Sequence, residues 1–137
     1  MTAKYFADTN LWVYAHLRDT GDFRCEQAAR LIEAYRLTIS NQVLHEYYNV
    51  MLKNKVPDTL IQRNIARITA RCDIFCVDLT SLEISMKIRN RFMFSWWDSL
   101  IVAAALQKGC SRLYTEDLQH GQTIDGLTII NPFVVAD

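Results

Sequence analysis

The sequence is poor in the residues that break regular structure, with only 4 Gly and 2 Pro. That scarcity excludes collagen, low-complexity linkers and a turn-dense all-β sandwich. No excess of charge is present either, since 15 Lys+Arg stand against 15 Asp+Glu. Without a global basic field, a nucleic-acid partner has to be argued from local features. Cysteine occurs four times (Cys25, Cys72, Cys76, Cys110), never as C-x-x-C and always among apolar neighbours. These read as buried, reduced thiols of a cytosolic protein, and neither a zinc framework nor a disulfide scaffold is expected. The longest apolar run, residues 100–106, is far short of the ~20 residues a membrane helix needs. Met1-Thr2-Ala3-Lys4-Tyr5 shows no charged-then-apolar signal pattern. A cytoplasmic protein without a membrane partner is the expectation.

What is present suits a packed core: 50% hydrophobic and 22% charged residues along 137 positions. That length fits one domain, residues 1–137. Tyr5-Phe6-Ala7 is a strand candidate, and Asp8 or Asn10 stands where a cap belongs for a helix over residues 11–17. A polar break at residues 18–22 precedes helical periodicity over residues 23–35. Leu37-Thr38-Ile39 is a second strand, and Ser40-Asn41 caps a helix bearing Val43, Tyr47, Val50 and Met51. Pro57 opens the next helix, with Leu60, Ile61, Ile65 and Ile68 as its stripe. A third strand follows at residues 74–77, a helix at 82–89, and another from Ser95 that Gly109 ends. Leu113-Tyr114 and residues 127–130 complete four to five strands. No hairpin signal joins two strands directly. Alternation of this kind predicts an α/β fold, an open, twisted parallel sheet with helices on both faces.

In such sheets ligands sit beyond the carboxyl ends of the strands, where strand order reverses. Asp8 follows the first strand, as a helix cap or as a cleft-facing acid. Glu46 lies at the edge of its helix's apolar stripe, on the rim or aimed into a cleft. Asp98 occupies the first turn of a helix apolar nearly all round; with Ser95 it has capping-box spacing, though a box prefers Glu or Gln there. Asp117 follows the fourth strand with Glu116 beside it as a rival. Carboxylates gathered closely repel one another, and some protonate unless a cation intervenes. Oxygen-only ligands select hard dications, Mg²⁺ or Mn²⁺, which serve phosphate chemistry.

The run Tyr5-Phe6-Ala7-Asp8-Thr9-Asn10 resembles the opening of PIN-domain ribonucleases, specifically the VapC-type toxins of prokaryotic toxin–antitoxin pairs. Ser40-Asn41-Gln42-Val43-Leu44-His45-Glu46 is similar to that family's second acidic motif, and Trp97-Asp98-Ser99-Leu100-Ile101-Val102-Ala103-Ala104-Ala105 to its third. Residues 113–121 followed by Asn131-Pro132-Phe133 resemble the ending of one subgroup, so the resemblance spans the chain as a single PIN domain. It implies Asp8, Glu46, Asp98 and Asp117 as the active-site acids, with Asp8, Asp98 and Asp117 on the metal. Thr9, Asn10, Thr115 and Glu116 would support them. The implied protein is a Mg²⁺-dependent endoribonuclease (Mn²⁺ a possible substitute) that hydrolyses RNA phosphodiester bonds with metal-activated water. An antitoxin partner and homodimerisation are implied as well.

Other features have plainer readings beside functional ones. Arg63, Arg67 and Arg71 recur every fourth residue, either as a solvated helix face or as contacts to an RNA backbone. Trp96 and Trp97 adjoin Asp98, where an exposed indole can stack on an unpaired base and at least one is expected in the core. His120 lies near Asp117, with a surface role the plainer reading. A receiver or aspartate-nucleophile phosphatase is set aside, because Asp8-Thr9-Asn10 is not Asp-x-Asp. Neither G-x-G-x-x-G nor a P-loop is present.

Overall fold

The computed structural model describes residues 2–17 and 21–134. Part of the expected polar break, residues 18–20, lies outside them. Twelve elements follow one another among the described residues: β1 (Tyr5–Ala7), α1 (Thr9–Leu17), α2 (Phe23–Ala34), β2 (Thr38–Ser40), α3 (Asn41–Lys53), α4 (Asp58–Arg71), β3 (Asp73–Phe75), α5 (Leu79–Phe92), α6 (Trp96–Gln107), β4 (Arg112–Tyr114), β5 (Thr123–Ile124) and β6 (Leu127–Ile130). Six strands rather than four to five form one sheet, ordered β3-β2-β1-β4-β6-β5.

The chain builds outward from β1 through β2 to β3, then crosses back to place β4 on the other side of β1, all in parallel. Right-handed crossovers running in opposite directions put α1–α4 on one face and α5–α6 on the other. Helix α6 lies against both β2 and β4, over the middle of the sheet. Its residues Ser99 to Ala105 are all buried, as the near-continuous apolar sequence requires. The hydrophobic core includes Phe6, Trp12, Ile39, Tyr47, Leu113 and Ile129.

Several local expectations need correction. An antiparallel hairpin does join β5 to β6. Its turn is Asp125-Gly126, with φ of 48° and 89°, the left-handed pair that a two-residue hairpin loop demands. β5 is so short that no alternation announces it. Helix α5 begins at Leu79 instead of residue 82, because Asp78 and Ser81 close a reciprocal capping box. Helix α1 starts at Thr9, so Asn10 lies inside it and does not cap it. Ser40 occupies the cap position of α3 without a side-chain cap bond. Asn41 instead accepts hydrogen bonds from the amides of Gln42 (3.1 Å) and Val77 (2.9 Å), tying α3 to the segment after β3. Cys25, Cys72 and Cys110 are buried free thiols, whereas Cys76 is exposed, one residue beyond the edge strand β3. No helix among the described residues is long and apolar enough to cross a membrane.

The Asp125-Gly126 turn yields a stability prediction. A methyl group at Gly126 meets nothing within 4 Å, so its cost is conformational only. Gly126→Ala should destabilise the protein by about 1 kcal/mol in urea unfolding, the scale of a left-handed residue bearing a Cβ. Asp125→Asn tolerates the same backbone and loses only an exposed ion pair with Arg91, so it should lie within about 0.5 kcal/mol of the parent.

Candidate active site

Parallel register brings the first two groups of the site together. Ala7 and Tyr114 are paired across β1 and β4, so Asp8 and Thr115 leave the sheet side by side. The ladder runs one step further, with the Asp8 amide donating to the Tyr114 carbonyl at 3.0 Å. Asp8 is 6% exposed. Its Oδ1 accepts from the Thr9 amide at 2.7 Å and its Oδ2 from the Thr115 hydroxyl at 2.8 Å. Thr115 in turn accepts from the Asp117 amide at 3.2 Å, which fixes the turn that presents Asp117.

The third acid comes from the opposite side of the chain's path. Ser95 caps α6, accepting from the Asp98 amide at 3.1 Å, and this places Asp98 in the first helical turn. Asp8, Asp98 and Asp117 each offer an oxygen, and these oxygens lie within 4.8 Å of one another. A cleft of about 240 Å³ opens onto all three and is also bordered by Thr9, Glu46, Trp97 and Ile101. It lies at the carboxyl ends of β1 and β4, where the strand order reverses.

Glu46 borders the cleft from α3 but is not part of that close triplet. Its carboxylate is held at both oxygens, by the Thr9 hydroxyl at 2.7 Å and by Gln42 Nε2 at 2.8 Å. Glu116 turns away toward α1, where Asn10 Nδ2 (2.9 Å) and the Tyr14 hydroxyl (2.7 Å) share its Oε1. Of the two adjacent acids, Asp117 therefore faces the cleft and Glu116 anchors the loop. Gln42 and Tyr14, which brace these carboxylates, carry no sequence signal of their own. Each lies one helical turn from the group it serves or across a tertiary gap.

The crowding shows in proton affinity. Burial pushes the Asp8 carboxyl up to about 7; the Thr9 and Thr115 hydrogen bonds oppose this, and the charges on Asp117 and Glu46 add to it. Burial also raises Asp98, against the Ser95 hydrogen bond and with the Glu46 charge. Asp117 is raised by burial first, then by Asp98, Glu116 and Glu46. None of the residues bordering the cleft is Lys or Arg, so no cationic side chain there offsets these carboxylates. Three carboxylate oxygens without His or Cys form a donor set matched to a hard dication such as Mg²⁺ or Mn²⁺.

The remaining singled-out residues lie elsewhere. Arg63, Arg67 and Arg71 are exposed on α4 and none borders the acidic cleft. Arg67 and Arg71 flank a separate groove beside Trp12 and Ile32. His120 accepts from the Asn131 amide at 3.0 Å in an exposed turn. Trp96 is half-buried and Trp97 61% exposed, neither belongs to the core, and it is Trp12 that fills it.

A family model described as PIN domain matches residues 5–123. Solved structures of similar fold include the Mycobacterium tuberculosis toxin VapC20, described as cleaving the sarcin-ricin loop, at 23% identity with a TM-score of 0.68 over 83% of this chain and 90% of that one. A toxin–antitoxin complex from Klebsiella pneumoniae aligns at 19% identity with a TM-score of 0.73, covering 98% and 100%. VapBC2 from Rickettsia felis, bound to a promoter DNA fragment, aligns at 21% identity and 0.64, covering 91% and 96%. A comparison with curated proteins finds no match.

The raised Asp8 makes stability depend on pH. Its unfolded carboxyl loses the proton near 3.9, whereas the folded group keeps it to about 7. Between those values the folded state binds more protons, so its contribution is full below about 4 and is lost as pH rises to about 7. In divalent-free buffer the thermal midpoint of the parent relative to Asp8→Asn should fall across that window and level off above it. A difference that stays flat with pH in a calorimetric series would contradict the assignment.

Proposed function

The chain belongs to the PIN-domain family, and we propose that it is a metal-dependent endoribonuclease, the toxin of a toxin–antitoxin pair. One observation carries the reading. Acids delivered by β1, α6 and the turn after β4 meet within 4.8 Å at the point where strand order reverses. The VapC and toxin–antitoxin structures of similar fold support the biological setting.

On this reading Asp8, Asp98 and Asp117 hold Mg²⁺ or Mn²⁺. The chemistry such an ion supplies is polarisation of a phosphoryl oxygen and a lowered pKa for water. The chain's own residues prepare the site. Thr115 and the Thr9 amide fix both Asp8 oxygens, so the carboxylate needs no reorganisation when charge develops on the phosphate. Glu46, braced by Thr9 and Gln42, stands at the cleft's edge as a further ligand or as the base that takes a proton from the attacking water. Asn10 and Tyr14 keep Glu116 out of the cleft, limiting the negative charge an incoming phosphate meets. Water attacks the phosphorus in line; the new P–O bond forms as the P–O3′ bond breaks, the water gives up a proton and the departing 3′-oxygen takes one up, leaving a 3′-hydroxyl and a 5′-phosphate. An antitoxin protein that covers the cleft, and a second copy of the chain, are the proposed protein partners; the compartment is the cytoplasm.

Purified protein with RNA and Mg²⁺ or Mn²⁺ provides the test. Asp8→Asn and Asp98→Asn should each lower cleavage about a hundred-fold or more, the scale of several kcal/mol of lost transition-state stabilisation. Both should retain the parent's circular dichroism. Added Mn²⁺ should raise the thermal midpoint of the parent at pH 8 and leave both variants unmoved. Undiminished, divalent-dependent cleavage by both variants would overturn the proposal.

A further inference from the structure

Beside the acidic cleft lies a second hollow of about 640 Å³, and the two share Glu46, Asn49 and Trp97 as a common wall. Its size is within the about 300–1,000 Å³ of small-ligand sites. Three elements make it. Asn41, His45 and Asn49 recur every fourth residue and so form one line along α3. Val77 and Leu100 supply apolar surface. Trp97, 61% exposed in a helix otherwise buried from Ser99 to Ala105, supplies a broad aromatic face.

The lining chemistry selects the kind of occupant. None of the lining residues is Lys or Arg, and Glu46 stands at the border, so a phosphate finds no counter-charge. An uncharged, planar ring with polar edges fits instead. The Trp97 indole offers stacking area, and the α3 line offers edge groups. Asn41 Oδ1 is occupied by two backbone amides, which leaves its Nδ2 as donor. The side chains of His45 and Asn49 have no hydrogen-bond partner among the described residues. The platform is also anchored: Gln42 Nε2 donates to the Trp97 carbonyl at 3.2 Å and to Glu46 at 2.8 Å, joining the start of α6 to α3. Unpaired RNA is recognised in this manner, by bases splayed onto aromatic side chains and hydrogen-bonded along their edges.

We infer that this hollow binds one unpaired nucleobase next to the scissile bond, stacked on Trp97 and read along its edge by Asn41, His45 and Asn49. The inference rests on the ribonuclease reading of the adjoining cleft and adds a source of sequence preference to it. The base is placed here, and its phosphate reaches the acids through the shared wall.

The test begins by mapping the ends that the parent leaves in a mixed RNA pool with Mn²⁺. A position beside the cut should show base bias. On a short single-stranded substrate carrying that site, Trp97→Ala should lower kcat/KM about 5- to 150-fold, the range of one lost base stack, chiefly through KM. It should also flatten the bias, while Trp97→Phe restores most of both. Trp97 is exposed, so thermal midpoints should stay level. An abasic substrate at the biased position should cost the parent a similar factor and cost Trp97→Ala little more, since partners in one contact are not additive. Full abasic loss in Trp97→Ala, or an unchanged bias, overturns the inference while cleavage by the parent and its loss in Asp98→Asn keep the ribonuclease reading. Parent protein that cuts no RNA overturns both. Unchanged cleavage with loss of binding to a protein inhibitor would assign the hollow to that protein instead.

Discussion

Negative charge gathered into a small space at the carboxyl ends of the strands is the constraint around which this protein is arranged. Three carboxylate oxygens lie within 4.8 Å of one another, and one of their owners, Asp8, is almost fully buried. Nothing in the local sequence makes such a cluster favourable, because burial and mutual repulsion both oppose ionisation. The cost is borne by the sheet. Asp8 is fixed by the β1–β4 ladder, and Asp98 by the cap of a helix whose apolar sides have nowhere to go but the core. Asp117 is held by a turn tied back to Thr115. Each anchor belongs to an element with its own reason to exist, so the cluster persists although its members repel.

The braces around the cluster divide its acids by task. Asp8 has both oxygens engaged by donors, which preorganises it but leaves its proton affinity high because burial outweighs the two bonds. Glu46 is held from two sides at the rim. Glu116, identical in charge and adjacent in sequence to Asp117, is drawn onto Asn10 and Tyr14 and serves to bind the loop to α1. A dication relieves the crowding where protonation would otherwise do so, which connects the architecture to phosphodiester chemistry under the proposed reading. The neighbouring hollow, free of Lys and Arg and walled by Trp97, complements the cleft: under the proposed reading one space handles charge and the other a neutral ring.

Much of the fold was legible because it rests on local pattern. Tyr5-Phe6-Ala7 reads as a strand and is one, and the apolar run after Ser95 reads as a buried helix and is one. Structure departs from local pattern where one bond or one edge position, not periodicity, decides. The Asp78–Ser81 box lengthens α5 by a turn. Asp125-Gly126 closes a hairpin whose first strand, at two residues, is too short to show alternation. Cys76 has apolar neighbours in sequence yet is exposed, because it follows the sheet's edge strand rather than an inner one.

By itself the sequence determined the alternation of strands and helices, the parallel sheet, and which acids stand just past strand ends or in first helical turns. These follow from side-chain period and capping chemistry, which act over a few residues. Tertiary structure alone decided that Glu116 is drawn onto Asn10 and Tyr14, that Arg67 and Arg71 border a different groove, and that α3 and α6 enclose a hollow beside the acids. Those outcomes depend on strand register and helix packing between segments as much as a hundred residues apart, such as Thr115 and Asp8. No local pattern encodes a distance of that kind; it exists only once the sheet has closed.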